Sequence, residues 1–385
     1  MTEYLLVMNE QFDPGPTKSG GDDFESFEIV DIDTPAELQE VTDDPAVSVA
    51  VPDMSARLIE PFESTATAQD GMTWGVEAVG ADSSSRDGSG VTVAVLDTGI
   101  DRSHEAFKDH TTMVEKDFTG EGNGDPHGHG THCAGTIFGG EVDGLRIGVA
   151  PGVERVLIAK VLGASGGGGT IGIARAIMWA IEEGANVVSM SLGVDFPGQV
   201  KRLIEQLDFP PDLAASRALQ DYRNNIRLYE SIAKLANASG PFGKPCVLIG
   251  ASGNESERQV DARYEIAVAP PAASDDIIAV GAIGRSDDKM SVADFSNTEV
   301  DIVGPGVGVV SAKAGGGLKA LNGTSMATPH AAGVAALWVE HLMKSGQNLT
   351  AEAIRSMLIG SGTREDFDIE ATGARVGTGL VQAPQ

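Results

Sequence analysis

The chain reads as an α/β protein, with a mostly parallel central sheet and helices on both faces. Three observations carry that reading. From residue 91 onward, short apolar runs with strand character alternate with longer helical runs, the order of a parallel sheet covered on both sides. The first run, residues 91–96, is apolar but for Thr92 and is followed by a carboxylate, which reads as a buried parallel strand. The length of 385 residues and a hydrophobic share of 41% allow one large domain with a small one appended.

The elements follow in order. Residues 1–63 form a separate unit: a strand at 3–8, a Pro/Gly/Asp loop at 11–23 and an alternating strand at 24–32. Thr34 caps a short helix running to Val41, Asp43-Asp44-Pro45 turns the chain, and a further strand covers 46–51. Residues 64–73 are a linker rich in small polar residues. Within 74–385, strands are expected at 91–96, 156–162, 186–192, 246–251 and 277–282, and helices at 131–138, 172–183, 325–343 and 351–359. Residues 194–244 are a long segment in which 213–236 reads as a charged amphipathic helix, with Leu219, Tyr222, Ile226, Tyr229, Ile232, Ala233 and Ala236 on its apolar face.

Composition excludes several classes. The net charge is −29, from 56 acidic and 27 basic residues, which argues against nucleic acid and anionic membranes as partners. No apolar run reaches the roughly 18 residues of a membrane span. The first ten residues lack a basic region and a signal-length apolar run, so a cytoplasmic location is expected, with export lacking a signal peptide as the alternative. Cys133 and Cys246 are the only cysteines, too few for a disulfide framework.

Three stretches carry chemistry. Asn322-Gly323-Thr324-Ser325-Met326-Ala327-Thr328-Pro329-His330 delivers a serine to the start of an apolar helix, where free N–H groups favour a developing oxyanion. Pro329 is expected within the first turn, where proline is tolerated. A serine there is ordinarily only a cap; the other two stretches change that reading. Val95-Leu96-Asp97-Thr98-Gly99 places a carboxylate at a strand end, where open parallel sheets put their chemistry. His127-Gly128-His129-Gly130-Thr131-His132-Cys133 is a glycine-spaced histidine cluster opening a small-residue helix. Asp, His, Ser is one known chain order for a hydrolase triad.

Together these segments resemble the subtilisin-like serine proteases, the subtilases, over roughly residues 74 to 360. The resemblance implies a three-layer subtilisin-like fold and a serine endopeptidase. It selects Ser325 as nucleophile, His129 as base and Asp97 as the orienting carboxylate, with Asp101 the weaker candidate for that last role. His127 is then a rim residue, and His132 and His330 are structural. It implies Asn254, ending the strand at 246–251, as the oxyanion donor, where an asparagine after glycine otherwise forms a turn. Gly166-Gly167-Gly168 and Ser191-Leu192-Gly193 match the edges that clasp an extended peptide. The primary pocket should be mostly apolar, walled by Leu192 and residues 251–253, with its floor within 266–271.

By the same resemblance residues 1–63 are a reduced prodomain, lacking the usual first helix and acting as the enzyme's own inhibitory partner. Self-cleavage is expected between about Pro61 and Met72, where a flexible linker exposes the chain. No cofactor is expected. Calcium is possible, but the family's tight site has Ala106 and Val142, with Asp143 alongside, where its ligands should be. Cys133 matches the thiol-bearing branch of the family. Protein or peptide substrates are implied, with no nucleic acid or membrane partner. A metallohydrolase using His127, His129 and His132 and a catalytically silent binding module are the competing classes.

Overall fold

The computed structural model describes residues 2–8, 27–32, 34–67, 71–110, 112–237, 244–286, 289–368 and 372–385. The loop expected at 11–23 and the first residues of the strand expected at 24–32 lie outside them. The N-terminal unit contains β1 (Thr2–Met8), β2 (Phe27–Ile32), α1 (Pro35–Asp43) and β3 (Val47–Pro52), with β1 central and antiparallel to both neighbours. Thr34 and Glu37 form a capping box that starts α1. Two further short strands, β4 (Ser55–Leu58) and β5 (Phe62–Glu63), lead away from the unit.

The main sheet uses β6 (Thr92–Asp97), β7 (Met113–Asp117), β8 (Arg155–Lys160), β10 (Val187–Met190), β12 (Val247–Ala251), β13 (Ile277–Ser286), β14 (Lys289–Val292) and β15 (Ile302–Pro305). Short strands β9 (Gly167–Gly169) and β11 (Leu192–Val194) stand apart from it, as do β16 (Val309–Ala312) and β17 (Leu318–Asn322). The order is β14-β13-β12-β10-β6-β8-β7, with β15 also on β13. Every pairing is parallel except β13 with β14. This is the α/β architecture expected, and the strand ends fall within a few residues of the expected ones.

Alternation along each strand divides the core in two. Val93 and Val95 of β6 join Val156, Ile158, Val187 and Ile249 beneath α2 (His129–Phe138), α6 (Thr324–Ser345) and α7 (Ala351–Gly360). Ala94 and Leu96 point the other way, with Leu157, Ala159, Val188 and Met190, against α3 (Thr170–Glu182) and α5 (Pro211–Asn237).

The helix expected at 213–236 is α5, preceded by an unforeseen α4 (Phe196–Glu205) capped by Asp195. Leu228, Tyr229 and Ile232 of α5 share one core with Leu5, Val7, Phe27, Val49 and Val51, so this helix is the seat of the N-terminal unit. Asn224 Nδ2 donates to Ala50 O at 3.2 Å, and Arg217 to the Tyr4 hydroxyl at 3.3 Å. Leu219, expected on the buried face, is 53% exposed because α5 turns its other side to the N-terminal sheet.

Candidate active site

β6 ends on Asp97, which is fully buried between β8 and β10. His129 is the first residue of α2. The preceding Gly128 has φ 90°, a left-handed turn natural to glycine, and swings the helix start over the strand end. Gly130 allows the approach: a Cβ there would lie 2.1 Å from Gly99 O. His129 Nδ1 donates to Asp97 Oδ1 at 2.8 Å, and the same oxygen accepts Thr98 N at 2.7 Å. Burial opposes charge on His129, but the charge and hydrogen bonding of Asp97 and Cys133 together outweigh it and hold the imidazole pKa well above its ordinary value.

Asp125 was not foreseen. Its carboxylate accepts from Thr98 Oγ1 at 2.7 Å and Gly128 N at 2.8 Å on one oxygen, and from Thr131 N at 2.8 Å and Thr131 Oγ1 at 2.6 Å on the other. Thr98 Oγ1 in turn accepts Gly130 N at 3.0 Å. One buried carboxylate therefore fixes the first turn of the His129 helix to the residue after Asp97. Local sequence gave no signal for it, because Asp125 stands three residues ahead of the cap position, which Gly128 occupies.

Ser325 is the second residue of α6, after Gly323 and Thr324. Pro329 lies inside the helix, beyond the first turn where it was expected. Having no N–H, it leaves the Ser325 carbonyl without its helical donor. Cys133 Sγ and Ser191 Oγ occupy that carbonyl instead, each at 3.3 Å. Cys133 also lies 3.7 Å from His129 Nδ1, so it bridges the two helices that carry Ser325 and His129. Burial raises the Cys133 thiol pKa. The Ser325 hydroxyl donates to Ile59 O at 3.0 Å, and His129 Nε2 has no hydrogen-bond partner among the described residues.

Asn254 follows β12. Its Oδ1 accepts Thr324 N and Thr324 Oγ1, both at 2.9 Å, from the residue just before Ser325. Nδ2 donates to Glu60 O at 2.9 Å. Ile59 and Glu60 directly follow β4, which lies antiparallel between β9 and β11. Arg57 faces Gly167 on one side and Gly193 on the other, Ala56 faces Gly168 and Val194, and Leu58 faces Leu192. Leu58 N also donates to Gly166 O at 2.8 Å. Of the residues expected to clasp a peptide, Gly166, Gly167, Gly168, Leu192 and Gly193 meet this strand, and Ser191 instead braces Ser325. Ile59 is buried, and a Cβ added at Gly193 would lie 3.7 Å from Ile59 Cγ1 and 3.8 Å from Pro270 O, so this side chain enters the expected pocket region. Past Ser325 the chain continues as β5, antiparallel to β17.

The other histidines stand aside. His132 is buried, bonds the carbonyls of Val309 and Lys319, and is pushed down to about 3 by burial and by His129. His330 bonds Met326 O at 2.8 Å and is pushed down to about 4 by burial. His127 is exposed at the rim, 6.3 Å from the His129 ring. Asp101 bonds Ser103 and Gly315 rather than His129. Among the described residues, the one group of His, Cys, Asp and Glu close enough to share a metal ion is Asp97, His129 and Cys133, and there Nδ1 is committed to Asp97. Ala106 and Val142 are buried apolar positions.

Residues 88–379 match the model of the subtilase family. The chain is 36% identical over 256 residues to the intracellular serine protease of Paenibacillus polymyxa, covering 65% of this chain and 67% of that protein. It is 35% identical to the alkaline elastase YaB of a Bacillus species, covering 71% and 62%, and 30% identical to subtilisin-like protease 1 of Arthroderma otae, covering 78% and 54%. It thus spans between about half and two thirds of these relatives' own length. No helix among the described residues is long and apolar enough to cross a membrane.

Proposed function

The chain belongs to the subtilase family, and on that premise we propose that it is a serine endopeptidase held in check by its own residues 1–63. One observation carries the reading: the Ser325 hydroxyl and the Asn254 amide both donate to backbone carbonyls, those of Ile59 and Glu60, in the two residues that follow a strand clamped antiparallel in a glycine-edged groove. A substrate strand in that place meets the same groups. His129 Nε2 takes the Ser325 proton as Oγ attacks the carbonyl carbon, and Asp97 holds the ring and steadies the imidazolium. Asn254 Nδ2 and the Ser325 N–H receive the oxyanion. His129 then returns the proton to the leaving amine, and water releases the acyl group from Ser325 by the reverse route.

The resident strand is out of step with that chemistry. A scissile carbonyl must offer its carbon to Ser325 while its oxygen sits on Asn254. Here Ile59 O takes the hydroxyl and Glu60 O takes the amide, so the two groups are spent on different carbonyls. The next bond leads into Pro61. This supports a self-inhibited precursor; its maturation by cleavage between about Pro61 and Met72, and a chemistry that uses no cofactor, complete the proposal. Cytoplasmic residence remains part of the proposal.

A fluorophosphonate probe tests it. Expected is labelling of Ser325, lost in His129→Ala and indifferent to chelator, with an intact mass of the active form lacking the N-terminal unit. Activity that disappears with chelator and survives Ser325→Ala would overturn the reading, and an active protein of full-chain mass would overturn the maturation step.

A further inference from the structure

Strand alternation buries Ala56 and Leu58 and turns Arg57 outward. Its backbone neighbours on both sides, Gly167 and Gly193, carry no side chains. Its guanidinium reaches two carboxylates of the groove wall: Nη1 lies 3.5 Å from Asp195 Oδ2 and Nη2 lies 3.6 Å from Glu255 Oε1. In each acid the other oxygen is fastened to the scaffold. Asp195 Oδ1 accepts Gly198 N at 3.0 Å as the cap of α4, and Glu255 Oε2 accepts Asn297 Nδ2 at 2.7 Å. Both carboxylates are thereby held before a cation arrives, each presenting one free oxygen to the same point above the strand.

We propose that Asp195 and Glu255 form a cation-selective subsite of the groove, which takes an Arg or Lys side chain two residues before the residue whose carbonyl meets Ser325. Arg57 is its internal occupant. The proposal rests on the endopeptidase reading and adds a substrate class to it: extended chains with a basic residue at that place. Arg is favoured over Lys because its fork addresses both oxygens at once. The ion pairs are half-exposed, so each contributes modestly and is weakened by salt.

The test uses the full chain. Arg57→Gln and the double variant Asp195→Asn/Glu255→Gln each loosen the resident strand and should speed fluorophosphonate labelling of Ser325 by about three- to tenfold. The triple variant should label no faster than either, because all three substitutions remove the same contact. Coumarin amides of acetyl-Ala-Xaa-Leu-Ile, with Xaa Arg, Gln or Glu, should show kcat/KM about tenfold higher for Arg than for Glu, a ratio that collapses toward unity in the double variant and narrows with salt. Equal labelling rates in all forms overturn the subsite, and so does an Arg-to-Glu ratio of one in the wild type. The labelling rates decide even where peptide turnover is too slow to measure. No labelling of Ser325 in any form, nor in the processed chain freed of its N-terminal unit, overturns the endopeptidase reading itself. Should the double variant fail to fold, Asp195→Asn alone keeps the cap of α4 and reads half of the effect.

Discussion

Substituting Asp125 by Asn keeps its size and one oxygen but places an amide where Thr131 N and Thr131 Oγ1 now donate. Thr131 Oγ1 already accepts Asp101 N at 2.9 Å and can accept the new amide as well by turning its own proton, so that contact is partly recovered. Thr131 N cannot turn, and it is left buried against a donor. A hydrogen bond to a charged group contributes about 1.5–3 kcal/mol, and a stranded buried donor costs about 1–3 kcal/mol, so a loss of about 2–4 kcal/mol in stability is expected. The kinetic effect is separate. His129 sits in the turn that Asp125 holds, and a displacement of about 1 Å can cost roughly 10²-fold in rate. We expect kcat to fall about 10- to 100-fold with KM little changed, measured on a peptide amide after active-site titration and at a urea concentration far below the unfolding midpoint. Loosening the Asp97–His129 contact must also lower the His129 pKa, moving the acid limb of kcat/KM to lower pH. A kcat within twofold of wild type refutes the positioning role, and so does a lost rate with an unmoved acid limb, which would mark plain destabilisation.

Asp97→Asn removes the charge that raises the His129 pKa, so the acid limb, set where neutral imidazole first predominates, should move down in a pH profile while kcat falls at every pH. The sign for stability is the reverse: with the folded pKa raised, the wild-type pair stabilises most at pH below the ordinary histidine value, and that contribution is lost as pH rises through the raised one. Asp53 joins the N-terminal unit to α3 by accepting Ile171 N at 3.0 Å, and burial raises its carboxyl pKa against that bond. Its ionised form therefore works against docking; the unit should seat more firmly as pH falls from neutral through the raised value, and Asp53→Asn should abolish the dependence, read as amide-exchange protection of Thr170 and Ile171.

What was legible followed from local chemistry. Continuous apolar runs and helical periodicity located the sheet strands and the long helices because burial on both faces leaves no polar position in such a strand, as in Val93 to Leu96. Asp97, His129, Ser325 and Asn254 stood in short stretches whose neighbours are recognisable. The helix α4 was missed although Asp195 with a following Pro197 is a start signal. Arg57, Ile59 and Glu60 were invisible for a different reason. They act through partners more than a hundred residues away, and a strand pattern specifies which face is buried but not which edge it will join. The exposed Leu219 misled for the same reason, since the partner of α5 is a distant sheet.

The register of β4 also decides how the linker can be cut. To bring a bond from residues 61–72 to Ser325 within one molecule, the chain must slide back toward the N-terminal unit, by roughly 7 Å for two residues. There is no slack to receive it. Only Asp53 and Met54 separate β3 from β4, and both are fastened, Asp53 to Ile171 N and Met54 O to Thr170 N at 3.0 Å. The slide would also pull Phe62 and Glu63 off β17 and break the Glu63–Lys319 pair at 2.8 Å. A second molecule, with its own groove already cleared, meets no such obstacle, because residues 65–67, beyond the Ser64 N–Ala320 O bond that closes the β5 edge, are exposed. Processing of the purified chain should therefore accelerate as mature enzyme accumulates, its initial rate constant rising with protein concentration. A Ser325→Ala chain, unable to cut itself, should be processed by a trace of mature wild type to the same product. A first-order rate unchanged over a hundredfold dilution, with Ser325→Ala left intact beside active enzyme, would mean that the strand does slip, and that the clasp around residues 53–63 is weaker than its contacts imply.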